Sequence, residues 1–172
     1  MGVSSLFLDE SVYLRFGRDK KHDLIALYFN INSFVLSDIY SPVEVALIFS
    51  GEGEYPFKQH TVLHLRRDGD EPYVNIWGLQ SNNPNNGHGT FILKNLEDLV
   101  MEINKKISYS CNGNISMDNN RGPIEVITGE VTSRNIPYNK LAAYYNKNGL
   151  PTITKIKDGS TANIIIYKII NC

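Results

Sequence analysis

Apolar and polar residues alternate along much of the first half of the chain, which predicts a series of β-strands. The alternating or apolar stretches are Val12–Phe16, Leu24–Ile31, Thr61–Arg66 and Tyr73–Leu79, with a shorter apolar patch at Phe34–Tyr40. Val43–Phe49 could be a strand or a helix, because its pattern does not reveal a period. Asp68-Gly69-Asp70 predicts a hairpin turn into the strand that begins at Tyr73.

A helical period replaces the alternation after residue 90. Leu93, Leu96, Val100 and Ile103 recur at three- and four-residue spacing. This spacing predicts a helix with one apolar face. The preceding segment, Ser81–Thr90, is polar and contains glycine, so this part of the chain is predicted to run strand, loop and helix.

The remainder of the chain mixes strand, turn and helix signals. We predict a short strand at Ile107–Cys111, a turn-rich loop at Asn112–Pro123, a strand at Ile124–Thr132, a helix at Tyr138–Asn148 closed by Gly149, and a terminal hairpin of Thr152–Ile156 with Asn163–Ile170. Strands and helices do not alternate regularly, so the fold is not doubly wound. The order predicts a mixed α/β (α+β) domain over residues 1–172, with a central, mostly antiparallel sheet and helices on both faces.

Composition and charge narrow the class of protein. The 172 residues are 42% hydrophobic and 20% charged, which is typical of a globular domain. A net charge of −1 argues against a nucleic acid or an anionic membrane as the main partner. The apolar runs are too short to span a membrane, and the first residues lack the features of a secretory signal. With Cys111 and Cys172 interpreted as free thiols, we expect a cytoplasmic location.

The loop before the predicted helix has the chemistry of an anion site. The first N–H groups of a helix have no partner within the helix, and the helix dipole places partial positive charge there. Gly87 and Gly89 lack the Cβ atoms that would keep a phosphate away. The alternative is a tight turn with a helix cap. A P-loop is excluded because no Gly-Lys-Ser/Thr follows. A dinucleotide-binding fingerprint is excluded because its third glycine would fall at position 92, which is Ile.

Three motifs in this order resemble the GCN5-related N-acetyltransferase (GNAT) superfamily. Gly87-His88-Gly89 before a helix is similar to its acetyl-CoA loop, Gln/Arg-x-x-Gly-x-Gly/Ala, and Tyr144–Leu150 to its Phe-Tyr-x-x-x-Gly-Phe segment. The hairpin after Ile153 is similar to its last two strands. The likeness covers about residues 60–172, while residues 1–59 form an atypical N-terminal part. Pro84 stands at the Gln/Arg position, which removes a side-chain contact to the diphosphate.

The resemblance implies a GNAT-like acyl-CoA N-acyltransferase fold and an acetyl-CoA donor. The backbone of Asn86–Thr90 would hold the diphosphate. The strands at Ile76–Leu79 and Ile127–Glu130 would diverge, and the pantetheine arm would lie between them like an added strand. The implied cofactor-binding residues are Leu79, Ser81, Asn86, Gly87, His88, Gly89 and Thr90. Leu79 would mark the strand N–H that contacts the oxyanion.

The resemblance also implies the reaction, in which a primary amine attacks acetyl-CoA directly in a ternary complex. Tyr145 corresponds to the family's general acid, and its alternative is a core aromatic, the role expected for Tyr144. Glu130 would be the general base through water, and its alternative is a solvated carboxylate on a strand. Glu71 and Asp118 are more remote candidates for the base.

Other reactive or aromatic residues are expected to be structural. His88 is interpreted as a variable surface position. His60 and His64 lack a third ligand, so no metal site is expected. Cys111 has no His/Asp partner that would make it a nucleophile. Trp77 is expected in the core or the cleft wall. Gly78 fits a β-bulge or a close backbone approach, and its alternative is a packing position.

Two alternatives to an active acetyltransferase stay open. The first is a catalytically silent GNAT-fold module that binds CoA or another protein, which Pro84 and the uncertain base favour. The second is an unrelated mixed α/β binding protein. Exposed strand edges would allow a homodimer, and the acceptor amine cannot be read from the sequence.

Overall fold

The computed structural model describes residues 12–32, 43–49, 59–68, 71–81, 84–112, 122–132, 136–157 and 161–170. Phe34–Tyr40, Gly69, Asp118 and the rest of residues 113–121 lie outside this part of the chain. The described strands are β1 Val12–Arg18, β2 Leu24–Asn30, β3 Val43–Phe49, β4 Gln59–Arg66, β5 Tyr73–Ser81, β6 Val126–Val131, β7 Thr152–Lys157 and β8 Thr161–Ile169. The described helices are α1 His88–Asn112 and α2 Tyr138–Lys147.

The described strands form one sheet of eight, in the order β1-β2-β3-β4-β5-β6-β8-β7. All neighbours are antiparallel except β5 and β6, which are parallel. The mixed α/β class and the mostly antiparallel sheet are therefore confirmed. Val43–Phe49 is a strand, which decides between the two interpretations of its pattern. The predicted hairpin is confirmed by the antiparallel pairing of β4 with β5.

Helix α1 is longer at both ends than predicted. It begins at His88, within the predicted loop, and extends to Asn112. The prediction of a short strand at Ile107–Cys111 is therefore wrong. Ile107 is buried and follows Ile103 by four residues, so it continues the apolar stripe of the helix. Neither described helix is both long enough and apolar enough to cross a membrane.

Both described helices pack on the same face of the sheet, which differs from the expected placement on both faces. The apolar side chains of β4, β5, β6 and β8 that point to this face join those of α1 and α2 in one buried core. On the opposite face, Ile153, Tyr167 and Ile169 are exposed. Lys168, on the helix side of β8, donates from Nζ to Glu97 Oε2 of α1 at 2.6 Å. The alternation of β8 therefore assigns one face to the helices.

Candidate functional site

Strands β5 and β6 are paired over only part of their length. Tyr73, Val74 and Asn75 pair with Val126, Ile127 and Thr128. Beyond these pairs, β5 continues to Ser81 beside β4, and β6 continues to Val131 beside β8. No pairing joins β5 to β6 in these last residues, within the part of the chain that the structure describes. The predicted divergence of the two strands is therefore confirmed, and we call the space between them the gap.

A β-bulge in β5 lies where the gap opens. Leu65 pairs with Ile76, but the next residue of β4, His64, pairs with Gly78, so Trp77 is the extra residue. A bulge bends its strand and increases the local twist, which directs β5 away from β6. The bulge predicted from Gly78 is confirmed. Across the opening, a Cβ at Gly129 would lie 3.1 Å from both Cβ and O of Ile76, so glycine permits this close approach.

The closed end of the gap is tied together by several hydrogen bonds. Pro72 O accepts from the N–H groups of Glu125 at 2.6 Å and Val126 at 3.0 Å. The side chain of Asn104, in α1, donates to Ile124 O at 2.9 Å and accepts from Ile124 N–H at 2.8 Å. Asn104 is buried and thus satisfies both backbone groups of Ile124, as a neighbouring strand would.

The glycine loop leads directly into α1 at the open end. Asn85 and Gly87 have φ of +71° and +87°, a left-handed conformation that Gly87 adopts without strain. Gly87 O accepts from Phe91 N–H at 2.9 Å and so closes the first turn of the helix. Within the described residues, the N–H groups of Gly89 and Thr90 make no hydrogen bond. They are therefore available to an anion.

The turn between β1 and β2 forms a second wall of the loop. Lys20 N–H donates to Asn86 O at 3.0 Å. The side chain of Lys20 runs over Gly87, since a Cβ at that position would lie 3.3 Å from Lys20 Cγ and 3.7 Å from Lys20 Cε. Lys20 is exposed, so its ammonium group carries a positive charge beside the helix start. Lys20 and Asn86 are 66 residues apart, so the sequence gave no signal of this contact.

His88 is buried, and the interpretation of it as a surface position is wrong. Its exposed fraction is 1%. Nε2 lies 3.2 Å from Asp19 Oδ2, and Nδ1 lies 3.3 Å from Thr61 Oγ1. Thr61 Oγ1 in turn lies 2.8 Å from Ser81 Oγ at the end of β5. The His88 side chain therefore joins the β1–β2 turn to the first turn of α1. Through Thr61 it is also linked to Ser81, a predicted cofactor-binding residue.

The Asp19 carboxylate is adapted to this buried position. Burial by itself would raise its pKa, but hydrogen bonds from the Asp23 N–H, from His88 and from the Lys21 N–H outweigh burial and lower the pKa. The two backbone donors lie at 3.0 Å and 2.8 Å from Oδ1. Asp19 is therefore held as a carboxylate that fixes the turn and orients His88.

The hydroxyl of Tyr144 lies against the start of α1. Tyr144 was predicted only as a core residue, and it also contacts the candidate site. A Cβ at Gly89 would lie 2.8 Å from the Tyr144 hydroxyl and 3.3 Å from Leu79 Cδ2. Burial raises the pKa of Tyr144, and a side-chain hydrogen bond with Thr90 opposes this shift. Gly89 therefore makes room for Tyr144 and Leu79, which is a different reason for the glycine from the one predicted.

Tyr145 faces the core from α2. It is 5% exposed, and its ring makes an edge contact with Tyr144, with 5.4 Å between the centroids. Burial and the neighbouring Tyr144 raise the Tyr145 pKa to about 12. Its hydroxyl makes no hydrogen bond with the described residues. The position fits both a general acid and a core aromatic, so the role of Tyr145 as an acid stays a prediction.

The structure does not place Glu130 beside Tyr145. Glu130 is exposed on the face of β6 that points away from the helices, and it accepts a hydrogen bond from Asn163 Nδ2. Tyr145 is on the helix face, so the two side chains flank the gap from opposite sides of the sheet. Glu71 is exposed. Trp77 is 62% exposed, which excludes the core and leaves the cleft wall.

Comparison with known proteins gives matches of structure. No protein-family model matches the chain, and no curated protein sequence does. Among solved structures, the acetyltransferase of the GNAT family from Streptococcus pneumoniae is 11% identical at a TM-score of 0.43, covering 93% of this chain and 99% of its own. A candidate acetyltransferase from Sphaerobacter thermophilus is 11% identical at a TM-score of 0.39, covering 93% and 94%. Values this low carry no inference about activity.

The order β4-β5-α1-β6-α2-β7-β8, with parallel β5 and β6 parting beside a glycine loop, is what the sequence resemblance implies. This agreement concerns the fold. The chemistry of the site must be argued from its residues.

Proposed function

We propose that the protein is an N-acetyltransferase that moves an acetyl group from acetyl-CoA to a primary amine. The observation that carries the proposal is the gap between β5 and β6, which opens beside the unpaired amides of Gly89 and Thr90. The facing edges of the two strands present backbone groups to an extended chain. The pantetheine arm carries amides and is about as wide as a strand, so it would add to the sheet as a peptide does.

The diphosphate would lie at the start of α1. The N–H groups of Gly89 and Thr90 and the positive end of the helix dipole favour an anion there. Lys20 would supply the side-chain charge that Pro84 does not, because its stem lies along Gly87. The Tyr144 hydroxyl lies against Gly89 at the helix start, where it could donate to a phosphate oxygen. The buried pair of Asp19 and His88 would keep these groups in place.

Tyr145 would stabilise the leaving thiolate as a hydrogen-bond donor. An ordinary thiol has a pKa of about 8.5, whereas burial raises the Tyr145 pKa to about 12. Full proton transfer from Tyr145 to the thiolate is then uphill by about 5 kcal/mol. A short O–H···S⁻ hydrogen bond needs no transfer, and it strengthens as charge develops on the sulfur in the transition state.

The acceptor amine would approach from the face opposite the helices. Attack of its nitrogen on the thioester carbonyl breaks the C–S bond and releases CoA as its thiolate. The nitrogen then loses a proton, and Glu130 is the carboxylate on that face of β6 that could receive it through water. The N–H groups of β5 near Leu79 would stabilise the oxyanion.

The test is release of free thiol from acetyl-CoA in the presence of primary amines. The proposal predicts thiol release that needs both the amine and the folded protein, together with thermal stabilisation by acetyl-CoA. Acetyl-CoA binding without thiol release for any amine would favour the second candidate, a silent CoA-binding module. The observation that favours this second candidate is the engagement of Glu130 by Asn163. Absence of acetyl-CoA binding would refute both.

A further inference from the structure

A cavity of about 440 Å³ lies on the sheet face opposite the helices. Its lining residues are Pro72, Tyr73, Asn75, Val126, Thr128 and Tyr167. They come from β5, β6 and β8 and from the residue before β5. The volume lies in the range of sites that bind small molecules.

The cavity adjoins the point where the gap opens. Asn75 and Thr128 form the last pair between β5 and β6, and Thr128 also pairs with Tyr167 on the other side of β6. The next residues, Ile76 and Gly129, mark the opening of the gap. A group carried down the gap from the helix start would therefore reach the edge of this cavity.

Among the described residues, the lining includes no Asp, Glu, Lys, Arg or His. Two tyrosine rings provide flat surfaces, and Asn75 and Thr128 provide neutral hydrogen-bonding groups. Such a lining suits a flat, mostly apolar body, and it would not compensate the several charges of a polyamine.

Charged groups lie outside the lining on the same face. Glu130 follows Thr128 by two residues on β6, so its carboxylate is placed to attract an ammonium group. On β5, Trp77 is exposed and carries the Arg66 guanidinium 4.9 Å from its ring centroid. Arg66 is itself paired with Asp68 at 2.7 Å, so its charge is balanced.

We infer that this cavity binds the acceptor, and that the acceptor is a small primary amine with a flat, apolar body. The inference rests on the proposed function for the reaction itself. The amine nitrogen points from the cavity toward the gap, between Glu130 and the thioester. The reaction yields the N-acetylated amine and CoA as free thiol, with no other reactant required.

The kinetic test compares 2-phenylethylamine with spermidine as acceptors for the full chain. We expect 2-phenylethylamine to have at least a tenfold higher kcat/KM. Tyr167→Ala should raise its KM about tenfold because a ring of the lining is lost, with kcat and the KM for acetyl-CoA unchanged. Ile153→Ala is the matched control, since Ile153 is an exposed apolar residue on the same face outside the cavity. An equal KM for the two variants, or a preference for spermidine, would overturn the inference.

A binding measurement separates failure of this inference from failure of the proposed function. 2-Phenylethylamine is titrated into the protein without acetyl-CoA, and binding is followed by calorimetry and by the amide resonances of Thr128 and Tyr167. Binding that Tyr167→Ala weakens and Ile153→Ala preserves supports the cavity even if no amine yields thiol. Absence of binding in a protein that acetylates other amines overturns the cavity and leaves the proposed function standing.

Discussion

The two halves of the β5–β6 strand pair have opposite characters. In the closed half, Tyr73–Asn75 and Val126–Thr128 are joined by ladder hydrogen bonds, and Asn104 and Pro72 tie the adjoining backbone. In the open half, the same strands separate and leave the gap. The comparison teaches that the pairing of β5 with β6 ends where the bulge at Trp77 bends β5, just beyond the close approach of Gly129 to Ile76.

The helix start at the open half is fixed by contacts between residues that are distant in sequence. The Asp19–His88 pair and the Lys20–Asn86 hydrogen bond fix the β1–β2 turn against the start of α1. Backbone amides are useful to a ligand when they are already oriented, because the binding free energy then does not have to order them. The predictions below separate the stabilising role of the closed half from the binding role of the open half.

The largest effect is expected in the closed half, from Asn104→Leu. Leucine has a similar size but leaves the N–H and C=O of Ile124 buried without partners. The free energy of unfolding should fall by about 3 kcal/mol, measured by urea denaturation. Asn95→Ala is the control, since Asn95 is half-buried and donates only to Phe91 O in its own helix. A loss of less than about 1 kcal/mol for Asn104→Leu would contradict the proposed role.

At the gap, Tyr145→Phe should lower kcat about 100-fold and leave the affinity for acetyl-CoA almost unchanged. In the proposed reaction the lost hydroxyl stabilises the leaving sulfur. It makes no hydrogen bond with the described residues, so folding should be unaffected. Steady-state kinetics and calorimetry provide the two quantities. Tyr138→Phe on the same helix is the control. Equal kcat for Tyr145→Phe and the unaltered protein would remove Tyr145 from the mechanism.

A smaller effect is expected for Lys20→Met. Loss of one exposed charge beside the diphosphate should weaken acetyl-CoA binding about fivefold and make it less sensitive to salt. Lys21→Met removes the same charge from the next position, where the contact to Asp19 is made by the backbone N–H and survives. Calorimetric titrations at two salt concentrations compare them. If the two variants bind alike, Lys20 is not part of the site.

The smallest effect concerns the acid sensitivity of the turn. The pKa of Asp19 is lowered in the folded protein, so its stabilisation is present above the ordinary carboxyl pKa of about 3.9 and is lost as pH falls through the lower folded value. Urea midpoints of the unaltered protein should therefore decrease more steeply below about pH 4 than those of Asp19→Asn. Parallel curves for the two proteins would show that the Asp19 carboxylate does not stabilise the turn.

Local patterns predicted the elements of this fold, and long-range contacts escaped them. Alternating or apolar stretches identified the strands other than Val43–Phe49, whose pattern left strand and helix open, and the spacing of Leu93, Leu96, Val100 and Ile103 identified α1. Ile107 continues that spacing, so the sequence did contain the signal that its segment is helical. The sequence did not predict which face of the sheet the helices cover. Alternation shows that a strand has two faces, but not which of them a helix packs against.

The candidate site was predictable where it depends on the backbone. The glycine loop followed from its motif, and the divergence of the strands was what the resemblance to the GNAT superfamily implied. The burial of His88 did not, because its partner Asp19 is 69 residues away and lies in a turn that looked merely charged. Tyr144 and Tyr145 are adjacent, so only packing of α2 distinguishes the ring near Gly89 from the ring in the core.

Amide hydrogen exchange with and without acetyl-CoA tests the central claim most directly. If the pantetheine arm lies between the strands, acetyl-CoA should slow exchange in Ile76–Ser81 and Gly129–Val131, together with Gly89 and Thr90. Exchange in the closed half should stay as it is. Unchanged exchange in the open half at saturating acetyl-CoA, or protection confined to another part of the chain, would contradict the account.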